Sequence, residues 1–168
     1  MGNRRIPYGR QWIEAEDIAA VVEVLQSDWI TQGDCIDRFE AQLANYCGAR
    51  YAVAVSSATA ALHLACSAVE LGPGDPIVTS PITFAASANC GVYCGARPYF
   101  ADIDPQTYNL DPERLADRLQ FLPASTESGV VIPVHFAGQS CDMGAIADIC
   151  RKRDFRVIED ASHALGSH

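Results

Sequence analysis

The sequence predicts an α/β fold, a layered, mostly parallel sheet with flanking helices. Three observations predict it. From Tyr51 onward, short apolar runs alternate with longer helical patterns, the rhythm of strand–helix–strand units. The run Val130 to Val134 reads as a strand buried on both faces, as parallel strands are. Turn signals, above all Leu71-Gly72-Pro73-Gly74-Asp75-Pro76, separate the runs.

Residues 1 to 13 read as an extended arm. Ile18, Val21, Val22 and Leu25 then recur at helical spacing. Trp29 to Gly33 is a loop. Ile36, Phe39, Leu43 and Tyr46 line a second helix, stopped by Gly48. The arm and these two helices, residues 1 to 50, precede the layered part of the chain. Tyr51 to Val55 is a short apolar strand, and Ala58 to Val69 an alanine-rich helix. Ile77 to Thr79 is the next strand. Residues 84 to 94 are helical and end at Gly95. Pro98 to Ala101 is a strand, with a turn at Asp102-Ile103-Asp104-Pro105. Asp111 caps a helix that begins at Pro112 and runs to about Leu122. After the strand Val130 to Val134 come a helix over residues 142 to 153 and a last strand, Phe155 to Ile158. No internal repeat or low-complexity tract interrupts the pattern.

Composition narrows the function. Of 168 residues, 49% are apolar and 20% charged, ordinary for a globular protein. A net charge of -9 disfavours nucleic acid or an anionic membrane as partner. No apolar run reaches the about twenty residues of a spanning helix, and the start of the chain does not read as a signal peptide. The seven cysteines lack Cys-x-x-Cys pairs or neighbouring histidines, so they read as reduced core thiols rather than metal ligands. Their odd number points to the cytoplasm. Lys152 is the single lysine.

Ligands of such sheets bind beyond the carboxyl ends of the strands. That rule selects four loops: Ser56 to Thr59, Ser80 to Phe84, His135 to Gly138, and Asp160 to His163. Small residues and free N–H groups at Ser56-Ser57-Ala58-Thr59-Ala60 suit a phosphate, though Ser57 equally suits a helix cap. Phe84 suits either a planar ring or the core. Asp160 is costly at the end of a buried strand unless a cation meets it, and a protonated pyridine nitrogen is such a cation. Alternatively it caps the next segment, with His163 a surface histidine.

Six segments, taken together, carry a resemblance: Ile6-Pro7-Tyr8-Gly9-Arg10-Gln11, Ser27 to Gly33, Tyr46-Cys47-Gly48-Ala49, Ala52 to Val55, Pro133 to Gln139, and Glu159-Asp160-Ala161-Ser162-His163-Ala164-Leu165-Gly166. Over residues 6 to 167 the chain resembles the nucleotide-sugar aminotransferases of the DegT type, fold-type-I enzymes that use pyridoxal phosphate (PLP). Its likeness is greatest to the subgroup that aminates C4 of a UDP-4-keto-6-deoxy-N-acetyl sugar toward pseudaminic acid. The resemblance implies that Thr59 and Ala60 hold the PLP phosphate and Phe84 stacks on the ring. Asp160 pairs with the pyridine nitrogen and His163 bonds the phenolic oxygen. More weakly, it implies that Tyr8, Gly9, Thr31, Gln32 and Gly33 touch the sugar nucleotide. Glutamate as amino donor and a homodimer are implied as well.

One departure bears on mechanism. The family's Schiff-base lysine follows its aspartate within a Ser-x-x-x-Lys motif, and no such motif follows Asp160 here. Lys152 precedes the last strand and reads as a solvated cation at a helix end. The expectation is an incomplete PLP-binding large domain over residues 51 to 168, without the C-terminal small domain and inactive alone. Open strand edges would then favour aggregation. Two other readings are an interaction module pairing with an intact homologue, and a PLP-dependent sugar dehydratase with histidine at the lysine's position.

Overall fold

The computed structural model describes residues 10–123, 126 and 128–167, and divides into two compact units, one through Ala54 and one from Val55.

The first unit is helical. Helix α1 spans Ala15–Gln26 and α2 spans Asp34–Tyr46. The Glu14 N–H donates to Asp17 Oδ2 at 2.8 Å, closing the first turn of α1. Gly48, at φ 62°, ends α2 as expected: the left-handed residue lets the Ala49 N–H reach back to the Ala44 carbonyl. Neither helix buries a residue fully. Ile18, Val21, Leu25, Trp29, Ile30 and Phe39 stand exposed.

The expected strand at Tyr51 to Val55 does not form. No described residue pairs with the run as a ladder. A strand needs a neighbour for its N–H groups. Here the Ala54 N–H donates to the Glu40 carboxylate at 2.7 Å instead. Tyr51 and Val53 remain exposed.

The second unit is α/β. Its elements are α3 (Ala58–Ala68), β1 (Pro76–Thr79), α4 (Ala86–Tyr93), β2 (Arg97–Phe100), α5 (Pro112–Gln120), β3 (Gly129–Ile132), a single 3-10 turn at Phe136–Gly138, α6 (Met143–Arg151) and β4 (Phe155–Val157). The four strands form one parallel sheet in the order β2-β1-β3-β4. A parallel bridge between Val134 and Asp160 extends the β3–β4 pairing past both strands.

Side-chain alternation explains the layers. Ile77, Val130 and Ile132 face α3 and α4, where they meet Leu62, Cys66, Ala86 and Cys90. Val78 and Val131 face α5 and α6, where they meet Leu115, Leu119, Ile146 and Cys150. Both faces are covered, so β1 and β3 are buried at every position. Edge strand β2 stays largely exposed and carries Pro98, whose missing N–H an edge tolerates. Gly91 lets α4 lie close on β1, since a Cβ there would meet the Ile77 side chain at 2.7 Å.

Candidate active site

Because all four strands run in one direction, their carboxyl ends share one edge of the sheet. The segments leaving β1, β3 and β4 at that edge carry Phe84, His135 and Asp160. The N-terminus of α3 reaches the same edge. Helices α3 and α4 run side by side in one direction. Leu62 and Cys66 share a core cluster with Ala86 and Cys90, and Ser67 Oγ lies 3.7 Å from Cys94 Sγ. The two helices therefore begin together, next to the carboxyl end of β1.

At the start of α3 the Ala60 N–H donates to Ser57 Oγ at 3.2 Å. The expected capping by Ser57 is thus present, and Ala60 is already engaged. Ala58 and Thr59 at N1 and N2 have no intrahelical partner for their N–H groups, which leaves them for an anion.

Phe84 is 76% exposed, which rules out the core reading for its ring. Its carbonyl accepts from the Ser87 N–H at 3.1 Å, closing the first turn of the segment that leads into α4.

Asp160 is 6% exposed. Its backbone is fixed on both sides: the Asp160 N–H donates to the Pro133 carbonyl and the His135 N–H donates to the Asp160 carbonyl. Oδ1 accepts from the Ser162 hydroxyl at 2.6 Å and the Ser162 N–H at 3.2 Å. Oδ2 accepts from the Ser87 hydroxyl at 2.7 Å. Among the described residues no cation pairs with this carboxylate. A buried carboxylate served only by neutral donors still gains from a cationic ligand. The donor set therefore fits a protonated ring nitrogen.

His163 follows in the next turn with an exposed side chain. Its carbonyl packs against Gly138, where a Cβ would stand only 2.9 Å away. The loop from His135 to Cys141 is itself pinned from below. Buried Asn109 accepts from the Phe136 N–H and donates to the Gln139 and Ser140 carbonyls. His135 Nδ1 accepts from the Cys141 N–H at 3.1 Å, so its ring hydrogen sits on Nε2 and is donated to Glu159 Oε2 at 3.0 Å.

The structure thus brings Thr59, Ala60, Phe84, Asp160 and His163 to one edge. Thr31, Gln32 and Gly33 lie in the α1–α2 loop of the first unit, where Gly33 is the N-cap of α2. Tyr8 and Gly9 lie outside the described residues. Lys152 caps the C-terminal end of α6, before β4 begins, on the opposite edge of the sheet from Asp160. Sequence reasoning missed Ser87 and Asn109, and it placed Thr83 in a selected loop without giving it a role.

Comparison with known proteins agrees with this architecture. Residues 11–168 match the model of the DegT/DnrJ/EryC1/StrS aminotransferase family. The chain belongs to that family. It is 44% identical over 163 residues to the spore coat polysaccharide biosynthesis protein SpsC of Bacillus subtilis, covering 97% of this chain and 41% of that protein. To the UDP-4-amino-4-deoxy-L-arabinose–oxoglutarate aminotransferase of Shewanella sediminis it is 39% identical, over 99% of this chain and 42% of that one. Among solved structures, Helicobacter pylori PseC, an aminotransferase of pseudaminic acid biosynthesis, superposes with a TM-score of 0.86 at 32% identity, over 95% of this chain and 42% of PseC. The PLP form of the Streptococcus pneumoniae sugar aminotransferase Spr1654 gives 0.85 at 31% identity, over 96% and 44%. The chain spans about two fifths of the length of the curated relatives it matches.

Proposed function

We propose that this chain forms the cofactor-binding part of a PLP-dependent aminotransferase that moves an amino group from glutamate to a keto sugar carried on a nucleotide. The substrate is a UDP-4-keto-6-deoxy-N-acetylhexosamine on the way to pseudaminic acid. The observation that carries the reading is Asp160: a buried carboxylate at the binding edge of a parallel sheet, with no cation of its own among the described residues.

The cofactor is pyridoxal 5'-phosphate, which when bound supplies an electron-withdrawing ring that carries the amino group between donor and acceptor. The chain's own groups divide the work of holding it. The Ala58 and Thr59 N–H groups take the phosphate at the positive end of α3. Ala60 joins them only by giving up its bond to Ser57. Phe84 presents an exposed ring face to the pyridine. Asp160 keeps the ring nitrogen protonated, and His163 donates to the phenolic oxygen. Thr31, Gln32 and Gly33, with Tyr8 and Gly9, contact the sugar nucleotide.

The resemblance of PseC, an enzyme of pseudaminic acid biosynthesis, supports the substrate. Exposed Ile18, Val21, Leu25, Trp29, Ile30 and Phe39 support a homodimer. Seven free cysteines support the cytoplasm, and no described helix is long and apolar enough to cross a membrane. Lys152, the one lysine of this sequence, lies on the opposite edge from Asp160 and is not placed to join the cofactor.

The test is glutamate-dependent conversion of the UDP-4-keto sugar to its 4-amino product by protein containing this sequence, read by mass spectrometry. Conversion of a GDP-linked keto sugar in its place would overturn the substrate. Conversion without PLP would overturn the class.

A further inference from the structure

The carboxylate of Asp160 is not equally free at its two oxygens. A carboxylate oxygen offers about two acceptor positions. Oδ1 already accepts two donors, the Ser162 hydroxyl and N–H. Among the described residues Oδ2 accepts one, the Ser87 hydroxyl at 2.7 Å, which leaves one position open. Ser87 has a single hydroxyl proton and two acceptors within reach, Asp160 Oδ2 and the Phe84 carbonyl at 3.2 Å. The anion is nearer and takes it. Thr83 Oγ1, 2.7 Å from Ser87 Oγ, must then donate to Ser87. The result is a directed chain, Thr83 to Ser87 to Asp160, in which each hydroxyl polarises the next.

We propose that Ser87, backed by Thr83 and matched by Ser162 on the other oxygen, sets how tightly Asp160 holds the proton on a cationic ring nitrogen. This rests on the reading of Asp160 as the partner of the PLP ring. Ser87 is a positioning residue and acts through Asp160. Donors to a carboxylate stabilise its charge and weaken it as an acceptor. Removing one strengthens the carboxylate's hold, and the ring proton survives to higher pH. A merely structural role has the opposite sign, because a displaced carboxylate lets the proton go at lower pH.

Other titratable groups surround Asp160. Cys90 lies on α4, where its thiol donates to the Ser87 carbonyl at 3.5 Å. His135 sits on the adjoining segment, with its ring engaged by Glu159 and Cys141. Glu159 and His163 lie on its own segment. None of these is altered by removing the Ser87 hydroxyl.

The experiment binds ring-¹⁵N pyridoxamine 5'-phosphate to the chain and follows its nitrogen shift as pH is raised. Ser87→Ala is expected to raise the midpoint of ring deprotonation by about one pH unit. Ser87→Thr, which keeps the hydroxyl, returns it to the wild-type value. An unchanged or lowered midpoint in Ser87→Ala overturns the inference. Should buried Ser87→Ala not fold, exposed Ser162→Ala decides by the same criterion. Asp160→Asn tests the underlying reading separately and should lower the midpoint. If it lowers the midpoint and the serine variants do not raise it, only the inference fails. If Asp160→Asn leaves the midpoint unmoved, the cofactor reading fails and the inference falls with it.

Discussion

Gly138 and the carbonyl oxygen of His163 are in such close approach that a Cβ on Gly138 would stand 2.9 Å from that oxygen. Gly138 also holds φ at 89°, a conformation that side chains other than glycine resist. The loop after β3 and the segment after β4 are locked together at this point. Gly138→Ala is expected to cost about 1–3 kcal/mol, combining backbone strain with the contact. Urea denaturation measures it. An unchanged midpoint would show that the two segments are not held this closely.

Asn109 fixes the same loop from the opposite direction. Its amide makes three hydrogen bonds to backbone groups of Phe136, Gln139 and Ser140. Asn109→Ala leaves those groups without their partner and should destabilise the unit by about 2–3 kcal/mol. Amide exchange at Phe136 should accelerate in the variant. Stability within experimental error of wild type would contradict this.

Burial pushes the thiols of Cys141 and Cys150 up to about 11, from an ordinary value of 9.0. The hydrogen bond to Cys90, with burial, raises Cys66 as well. Native protein at pH 8 should therefore react with a thiol reagent at exposed Cys35 and Cys47 first, and at the buried four only after denaturation. The linkage has a definite sign. In the folded state Cys141 and Cys150 keep their protons where the unfolded chain has lost them. Their contribution is whole below pH 9 and is lost as pH rises from about 9 to about 11. Denaturation midpoints across that range measure the loss. A flat profile there would contradict the burial of these thiols.

Lys152 stands at the C-terminal end of α6, on the sheet edge away from Asp160. Borohydride reduction of the chain with stoichiometric PLP should therefore yield no adduct at this lysine beyond what free lysine gives. Peptide mapping decides the matter. A stoichiometric adduct at Lys152 would contradict its placement.

The layers were legible because periodicity is a local property. Val130 to Val134 announces a doubly covered strand, and Asp111-Pro112 announces a helix start, without knowledge of the rest of the chain. The run Tyr51 to Val55 misled for the converse reason. Its apolar residues are strand-like, but a ladder belongs to two segments at once, and here the Ala54 N–H goes to Glu40. The site divides in the same way. Asp160 and Phe84 stood out because an acid and an aromatic beyond strand ends are chemically conspicuous. Ser87 did not, since a serine among alanines in a helix reads as a weak helix former, and its partner Asp160 lies 73 residues away. Asn109 was hidden likewise, its partners being carbonyls and an N–H about thirty residues distant.

If the sheet edge holding Asp160 is the cofactor's site, the carboxylate governs cofactor affinity. Equilibrium dialysis of pyridoxamine 5'-phosphate against wild type and Asp160→Asn measures this. The amine form needs no lysine to bind. Saturable one-to-one binding is expected for wild type, weakened on the order of a hundredfold in Asp160→Asn, where a buried charged hydrogen bond is lost. Equal affinity in the two proteins would show that the cofactor does not sit against Asp160.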